Sequence, residues 1–385
     1  MNNSLIADPF LIKLVKKIYP YKLKYYFQKY FPGYYKYIKF KPPRERFLTI
    51  FMDIQDTCNL HCKMCHFGFL GDHPKDPKQI KLDDFKKFGD NVLYKTEEIA
   101  FSPCTDPLVH SNYSGLLDIL KNYNVPKMWM MTNLQLLTEE IAEKLVRMKF
   151  YRLLISMDSY KKNIYEDIKR GAKFEVLIKN IEMINNFKKK YNTEYPLINF
   201  NFVLMNTSVS NYDGYLKFVK EIGGTSVGFF HVVVYKDVKE MSSESMWHHK
   251  EKYNEFYDKV IIDSKKYGVS IERIPEKFNL KDESLNHIKP ETNKFEPKCR
   301  YPWYILVVYP NGTFKPCEFW FNQKPWGNLI NDKFEEIWES DQYKKLRWEI
   351  AFNKPSRTCC RKCVSMSDLK GNVNDPDSFR EIVFE

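Results

Sequence analysis

The sequence predicts an α/β fold in which helices wrap a parallel sheet, followed by a small cysteine-bearing C-terminal unit. Three observations predict it. Apolar, β-rich runs alternate with helix-like stretches between residues 47 and 267, a hairpin signal surrounds Asn311-Gly312, and cysteines cluster on both sides of the alternating region. Strands are expected at 47–56, 97–102, 127–132, 152–157, 197–205 and 226–235. Helices are expected at 83–88, 112–123, 138–148, 174–190, 211–222 and 246–267. Paired off, these make six strand–helix units whose following loops should meet at one mouth. The 385 residues divide into an N-terminal extension (1–46), a core (47–235), a bridge (236–298) and a C-terminal unit (299–385).

The first strand leads into Cys58-Asn59-Leu60-His61-Cys62-Lys63-Met64-Cys65. Thiolates suit iron in clusters, and a cube with four cysteine ligands is saturated. Three thiolates in one short loop therefore describe a cube with one iron left open for another ligand. Disulfides are disfavoured, because nine cysteines in 385 residues is sparse and no signal peptide precedes them. A structural zinc site with His61 or His66 is the remaining alternative.

A second cysteine region favours the cluster. Cys299-Arg300-Tyr301-Pro302-Trp303 precedes an apolar run, then Asn311-Gly312 and a short run ending at Cys317. This reads as a hairpin with a tight primed turn, with Cys299 and Cys317 flanking its open end. Cys360-Arg361-Lys362-Cys363 follows a helix-like stretch at 333–352. The four thiolates suffice for a second, saturated cluster, with Cys359 an alternative to Cys360.

The CxxxCxxC run resembles the signature of the radical S-adenosylmethionine (radical SAM) superfamily. The Cys299 to Cys363 pattern, with Gly327-Asn328-Leu329 and Phe334-Glu335-Glu336-Ile337-Trp338, is similar to its C-terminal SPASM/twitch extension. The resemblance implies a partial (β/α)6 TIM-like barrel and a small auxiliary-cluster domain. It implies a 4Fe-4S cluster on Cys58, Cys62 and Cys65, an auxiliary 4Fe-4S cluster on Cys299, Cys317, Cys360 and Cys363, and S-adenosylmethionine on the open iron. Ser102-Pro103-Cys104-Thr105-Asp106-Pro107 stands where the family shows Gly-Gly-Glu-Pro, so Thr105 and Asp106 are candidates to meet the methionine amino group. Asn133, Ser156, Asp158 and Arg170 fall on family positions that approach the cofactor, and Met64 replaces an aromatic. The alternative for Asp106, Ser156 and Arg170 is capping or a surface ion pair. Cys104 belongs to neither cluster; burial of a small side chain is preferred over a role as hydrogen-atom donor.

The implied chemistry is reductive cleavage of S-adenosylmethionine, with an electron from a flavodoxin- or ferredoxin-type reductant, to a radical that abstracts hydrogen from substrate. An auxiliary cluster suits a net oxidation such as dehydrogenation. The expected substrate is small or carbohydrate-like, because the extension before the first strand is short and irregular for a leader-binding domain. A peptide-modifying maturase is the runner-up, and a non-enzymatic iron–sulfur electron carrier is the alternative of another class.

Formal charge is +12, and residues 1–46 hold eleven Lys or Arg against Asp8 and Glu45. Eight tyrosines lie between Tyr19 and Tyr37. A helix packed on the barrel is preferred for this stretch over contact with an anionic membrane surface or phosphorylated partner. No nucleic-acid fold signature accompanies it. With no spanning stretch or signal peptide, the expected location is cytoplasmic, with attachment at the inner membrane surface as the alternative.

Overall fold

The strands are β1 (Leu48–Met52), β2 (Thr96–Phe101), β3 (Lys127–Thr132), β4 (Arg152–Ser156), β5 (Leu197–Leu204), β6 (Ser226–His231), β7 (Ser270–Arg273), β8 (Ile305–Val308), β9 (Thr313–Lys315) and β10 (Gly327–Asn328). They form one sheet in the order β10-β9-β8-β1-β2-β3-β4-β5-β6-β7. The computed structural model describes residues 42, 44–65, 74–102, 104–233, 239–280, 299, 301–317, 323–351, 356–357 and 360. The basic, tyrosine-rich stretch up to residue 41, His66, Cys359, Cys363 and part of the bridge lie outside them.

Strands β1 to β7 run parallel, as the alternation predicts. Helices α1 (Leu82–Val92), α2 (Tyr113–Lys121), α3 (Glu139–Arg147), α4 (Lys162–Ile168), α5 (Phe174–Lys190), α6 (Tyr215–Glu221) and α7 (Lys250–Tyr267) connect them. Each expected strand and helix has a counterpart, with shorter bounds for β1 and β6. The short polar α4 and the edge strand β7 are additions that apolar patterning did not mark.

Local chemistry explains the helix bounds. In α1, Phe85, Phe88, Gly89 and Val92 are buried on one face, while Asp83 and Asp84 place negative charge at the positive end of the helix dipole. A Cβ at Gly89 would stand 2.5 Å from the Tyr123 ring, so only glycine permits that approach. Asn112 and Thr138 cap α2 and α3 through the amides of Gly115 and Ile141. Gly268, at φ +64°, ends α7 in the left-handed conformation.

The sheet has two unlike faces. Ile50, Met52, Ile99, Met130, Leu153 and Phe200 are fully buried under the helices. On the opposite face, Phe51, Met131, Ser156, Val203 and Phe230 are only half-buried. The register places these in adjacent rows, so a concave face stays open beside the C-terminal ends of the strands.

The C-terminal hairpin continues the barrel sheet: β8 pairs parallel with β1, Met52 opposite Val308. The primed turn is corrected by the structure. Tyr309 accepts from the Gly312 amide and donates to Thr313, leaving a three-residue loop in which Gly312 alone carries the positive φ, +79°. Pro310 is the reason: it has no N–H to close a two-residue loop against the Thr313 carbonyl, so Tyr309 makes that bond one residue earlier and the loop grows to three. The helix expected at 333–352 divides into α8 (Phe334–Trp338) and α9 (Asp341–Ala351).

Phe202 anchors the helical layer, with ring centroids 4.9 Å from Tyr215 and 5.3 Å from Phe229. Phe202→Ala is expected to cost roughly 3–5 kcal/mol in denaturant melts. A loss below about 1 kcal/mol would place the stabilising core elsewhere.

Candidate active site

The three-cysteine loop leaves β1 at the open end of the sheet and has no regular structure of its own. Two backbone bonds hold it against the turn that follows α4: His61 N to Arg170 O at 3.0 Å, and Lys63 N to Ile168 O at 2.8 Å. The Lys63 ammonium reaches Asp167 at 2.5 Å. Gly171 makes the turn at φ +94°, where a side chain is strained, and stands close to Leu60. From the β3 side, Asn133 Nδ2 donates to Asn59 Oδ1 at 2.9 Å and lies 3.9 Å from the Cys58 sulfur.

Cys58 and Cys62 pack on the main core, and Met64 joins an apolar group with Ile168, Met205, Val232 and Met241. Burial pushes the Cys58 thiol up to about 12, with Asp106, Cys62 and Cys65 adding to it. Burial likewise lifts Cys62 to about 11, against the pull of Lys169. Among the described residues no three His, Cys, Asp or Glu side chains converge on a single-ion site. The fit to iron therefore rests on the donor set. Buried, mutually repelling thiols become stable thiolates once a strongly cationic centre stands between them, and three of them suit an iron–sulfur cluster.

Asp106 is buried and fully engaged. Its carboxylate accepts from Asn133 N (2.7 Å), Thr132 Oγ1 (3.0 Å) and Leu108 N (3.0 Å), so it caps the turn after β2 and ties it to β3. Burial lifts its pKa to about 6. Thr105 Oγ1 bonds Gln55 O at 3.1 Å. Ser156 is half-buried at the end of β4, and Arg170 is exposed. Asp158, fully buried, accepts from Val203 N at 2.7 Å and pairs with Lys169 at 2.9 Å.

Cys104 is exposed, which corrects the preference for burial. Ser102, at φ +52°, turns the chain outward after β2 and leaves Cys104 at the mouth beside Asp53. His248 and His249 bond Ser242 and the Ser243 carbonyl around the start of α7.

Sequence reading missed Lys169, Asp53, Gln55 and Tyr165. Asp53 and Gln55 extend the inward-facing alternation of β1, a signal that was available. Gln55 bonds the Asp106 carbonyl at 2.6 Å. The buried Tyr165 hydroxyl has no hydrogen-bond partner among the described residues and lies in the field of Lys169, Cys62 and Asp158.

At the other end, Cys299, Cys317 and Cys360 gather around Leu346 and Ile350 with Trp303 and Trp326. Three of the expected auxiliary ligands thus share one apolar pocket; Cys363 and Cys359 lie outside the described residues. Tyr309 connects the two regions. It follows β8 next to Asp53, and burial, then Cys104, Asp53 and Cys317, push its hydroxyl up to about 12.

Burial lifts Asp53 from 3.8 to about 6, against hydrogen bonds from Cys104 and Thr105 and with a smaller push from Asp56. The native state therefore holds this proton more tightly than the unfolded chain, and stability falls as pH rises from about 4 to about 6. Between pH 5 and pH 8 the wild type should lose about 1.4 kcal/mol relative to Asp53→Asn in paired denaturant melts. Parallel stability curves would contradict the assignment.

Two family models match the chain. One, described as the radical SAM superfamily, matches residues 52–202, and one described as an iron–sulfur cluster-binding domain, SPASM, matches residues 299–364. The chain is 22% identical over 318 residues to the antilisterial bacteriocin subtilosin biosynthesis protein AlbA of Bacillus subtilis (strain 168), covering 81% of this chain and 64% of that protein. It thus spans less than two thirds of that relative. It is 24% identical over 269 residues to a GTP 3′,8-cyclase of Clostridium botulinum, covering 69% and 79%. Streptococcus suis SuiB bound to its precursor peptide SuiA superposes with a TM-score of 0.62 at 17% identity, covering 85% of this chain and 71% of that one. Native anSMEcpe with bound AdoMet and a peptide gives 0.59 at 19%, covering 87% and 95%. At these identities the structural likeness speaks for the fold.

Proposed function

We propose that this protein, which belongs to the radical SAM superfamily and carries a C-terminal SPASM iron–sulfur domain, is a peptide-modifying maturase. The observation that carries the peptide reading is the similarity to a bacteriocin biosynthesis protein over 81% of the chain. The small or carbohydrate-like substrate expected from the short N-terminal extension has less support. A small substrate keeps one specific argument, the similarity to GTP 3′,8-cyclases.

In this reading Cys58, Cys62 and Cys65 hold a 4Fe-4S cluster, and Cys299, Cys317, Cys360 and Cys363 hold the auxiliary one. When bound, the first cluster and S-adenosylmethionine supply a 5′-deoxyadenosyl radical that takes hydrogen from an unactivated carbon. The chain's own task is position and exclusion of water. Asn133 and Asn59 steady Cys58, the turn after α4 fixes Cys62, and the Asp106 carboxylate fixes the loop between β2 and β3. Ser156 faces the open concave side, where a cofactor polar group would meet it. Met64 and its apolar group offer a dry wall for the adenine. Cys104 is exposed at the same mouth, where a thiol hydrogen-atom donor would serve a redox-neutral outcome rather than the net oxidation proposed here. A flavodoxin- or ferredoxin-type protein delivers the electron. Among the described residues no helix is long and apolar enough to cross a membrane.

Anaerobic reconstitution followed by reduction with S-adenosylmethionine should release 5′-deoxyadenosine. The variant with Cys58, Cys62 and Cys65 all changed to Ala should release none while keeping about four irons. Intact cofactor in the wild type would leave the electron-carrier reading. Supplied with a short peptide encoded beside its gene, the enzyme should yield a product lacking a pair of hydrogens by mass spectrometry. Turnover of GTP with no change in the peptide would contradict the maturase reading.

A further inference from the structure

The two backbone bonds that clamp the cysteine loop fix a register. His61 donates to the Arg170 carbonyl and Lys63 to the Ile168 carbonyl, so Cys62 and Lys169 sit between the two bonds, and each lies in the other's field. The flanking cations are engaged elsewhere: Lys63 pairs with Asp167, and Arg170 is exposed. Lys169 is 6% exposed, and its ammonium pairs at 2.9 Å with the fully buried Asp158. Asp158 in turn is held by the Val203 amide at 2.7 Å, so the cation is anchored to β5 as well as to the cysteine loop. The ion pair with Asp158 offsets the burial of its charge. A surface lysine is screened by water; this one acts through a low-dielectric interior, where a charge is felt most strongly.

We infer that Lys169 is a positioning residue whose fixed charge sets the reduction potential of the cluster held by Cys58, Cys62 and Cys65. This rests on the reading that those cysteines bind a cluster. In the step concerned, one electron passes from the external iron–sulfur or flavin reductant into the cluster, no bond forms or breaks, and no proton moves. The added negative charge is stabilised by a cation already in place. Asp158 moderates that cation, so the two residues act with opposite sign.

The test is a potentiometric titration followed by electron paramagnetic resonance on the anaerobically reconstituted full chain. The signal of this cluster is identified by its loss when Cys58, Cys62 and Cys65 are all changed to Ala. Lys169→Met should retain iron and lower the reduced-to-oxidised ratio at fixed potential about tenfold, a shift of about 59 mV for a one-electron couple. Asp158→Asn should shift the ratio the opposite way, and Lys169→Arg should stay near wild type. A merely structural role predicts equal displacement, or none, in Lys169→Met and Asp158→Asn, and either result overturns the inference. If Lys169→Met loses its iron, Asp158→Asn decides alone: an upward shift supports the inference and an unchanged midpoint overturns it. A wild-type protein with no iron at these cysteines overturns the parent reading, and this one with it.

Discussion

The clamp between the cysteine loop and the turn after α4 is the constraint on which the site depends. A loop that presents three thiols cannot also satisfy its backbone by pairing internally, and buried amides without partners are costly. The carbonyls of Ile168 and Arg170 solve this by receiving the amides on either side of Cys62. That solution requires the chain to reverse at Gly171, and it leaves Lys169 buried, where Asp158 offsets its charge. Removing one member of such a pair leaves an uncompensated buried charge, at a cost of roughly 3–5 kcal/mol.

The same economy shapes the barrel. The helix-facing rows of the sheet are sealed by aliphatic and aromatic side chains, whereas the inner rows keep Ser156, Val203 and Phe230 half-open. Polar groups at the strand ends are spent on one another: Gln55 on the Asp106 carbonyl, Asp106 on Thr132 and Asn133, and Asn133 on Asn59. The mouth is thus stiff around its rim and open at its centre. β8, docked beside β1, carries this rim through Tyr309 toward the auxiliary cysteines.

Much of this was legible in the sequence, because strands of a parallel sheet are continuous apolar runs and helices between them carry capping residues such as Asn112 and Thr138. The cysteine spacing was legible too, since a cluster imposes it locally. What was not legible arises across the chain. Lys169 has no local mark that separates it from its exposed neighbours Lys162 and Arg170; the clamp places it beside Cys62. The docking of β8 on β1 is equally non-local. The turn at Asn311-Gly312 was misjudged because Pro310, one position earlier, controls the geometry, and Cys104 because a positive φ at Ser102 reverses which way the loop faces.

The most direct test of the account is an anaerobic crystal structure of the reconstituted protein with S-adenosylmethionine. Cys58, Cys62 and Cys65 should be found holding an iron–sulfur cube whose fourth iron takes no protein ligand and is left to the methionine end of the cofactor. Zinc at these sulfurs, or a fourth protein side chain on that iron, would contradict it.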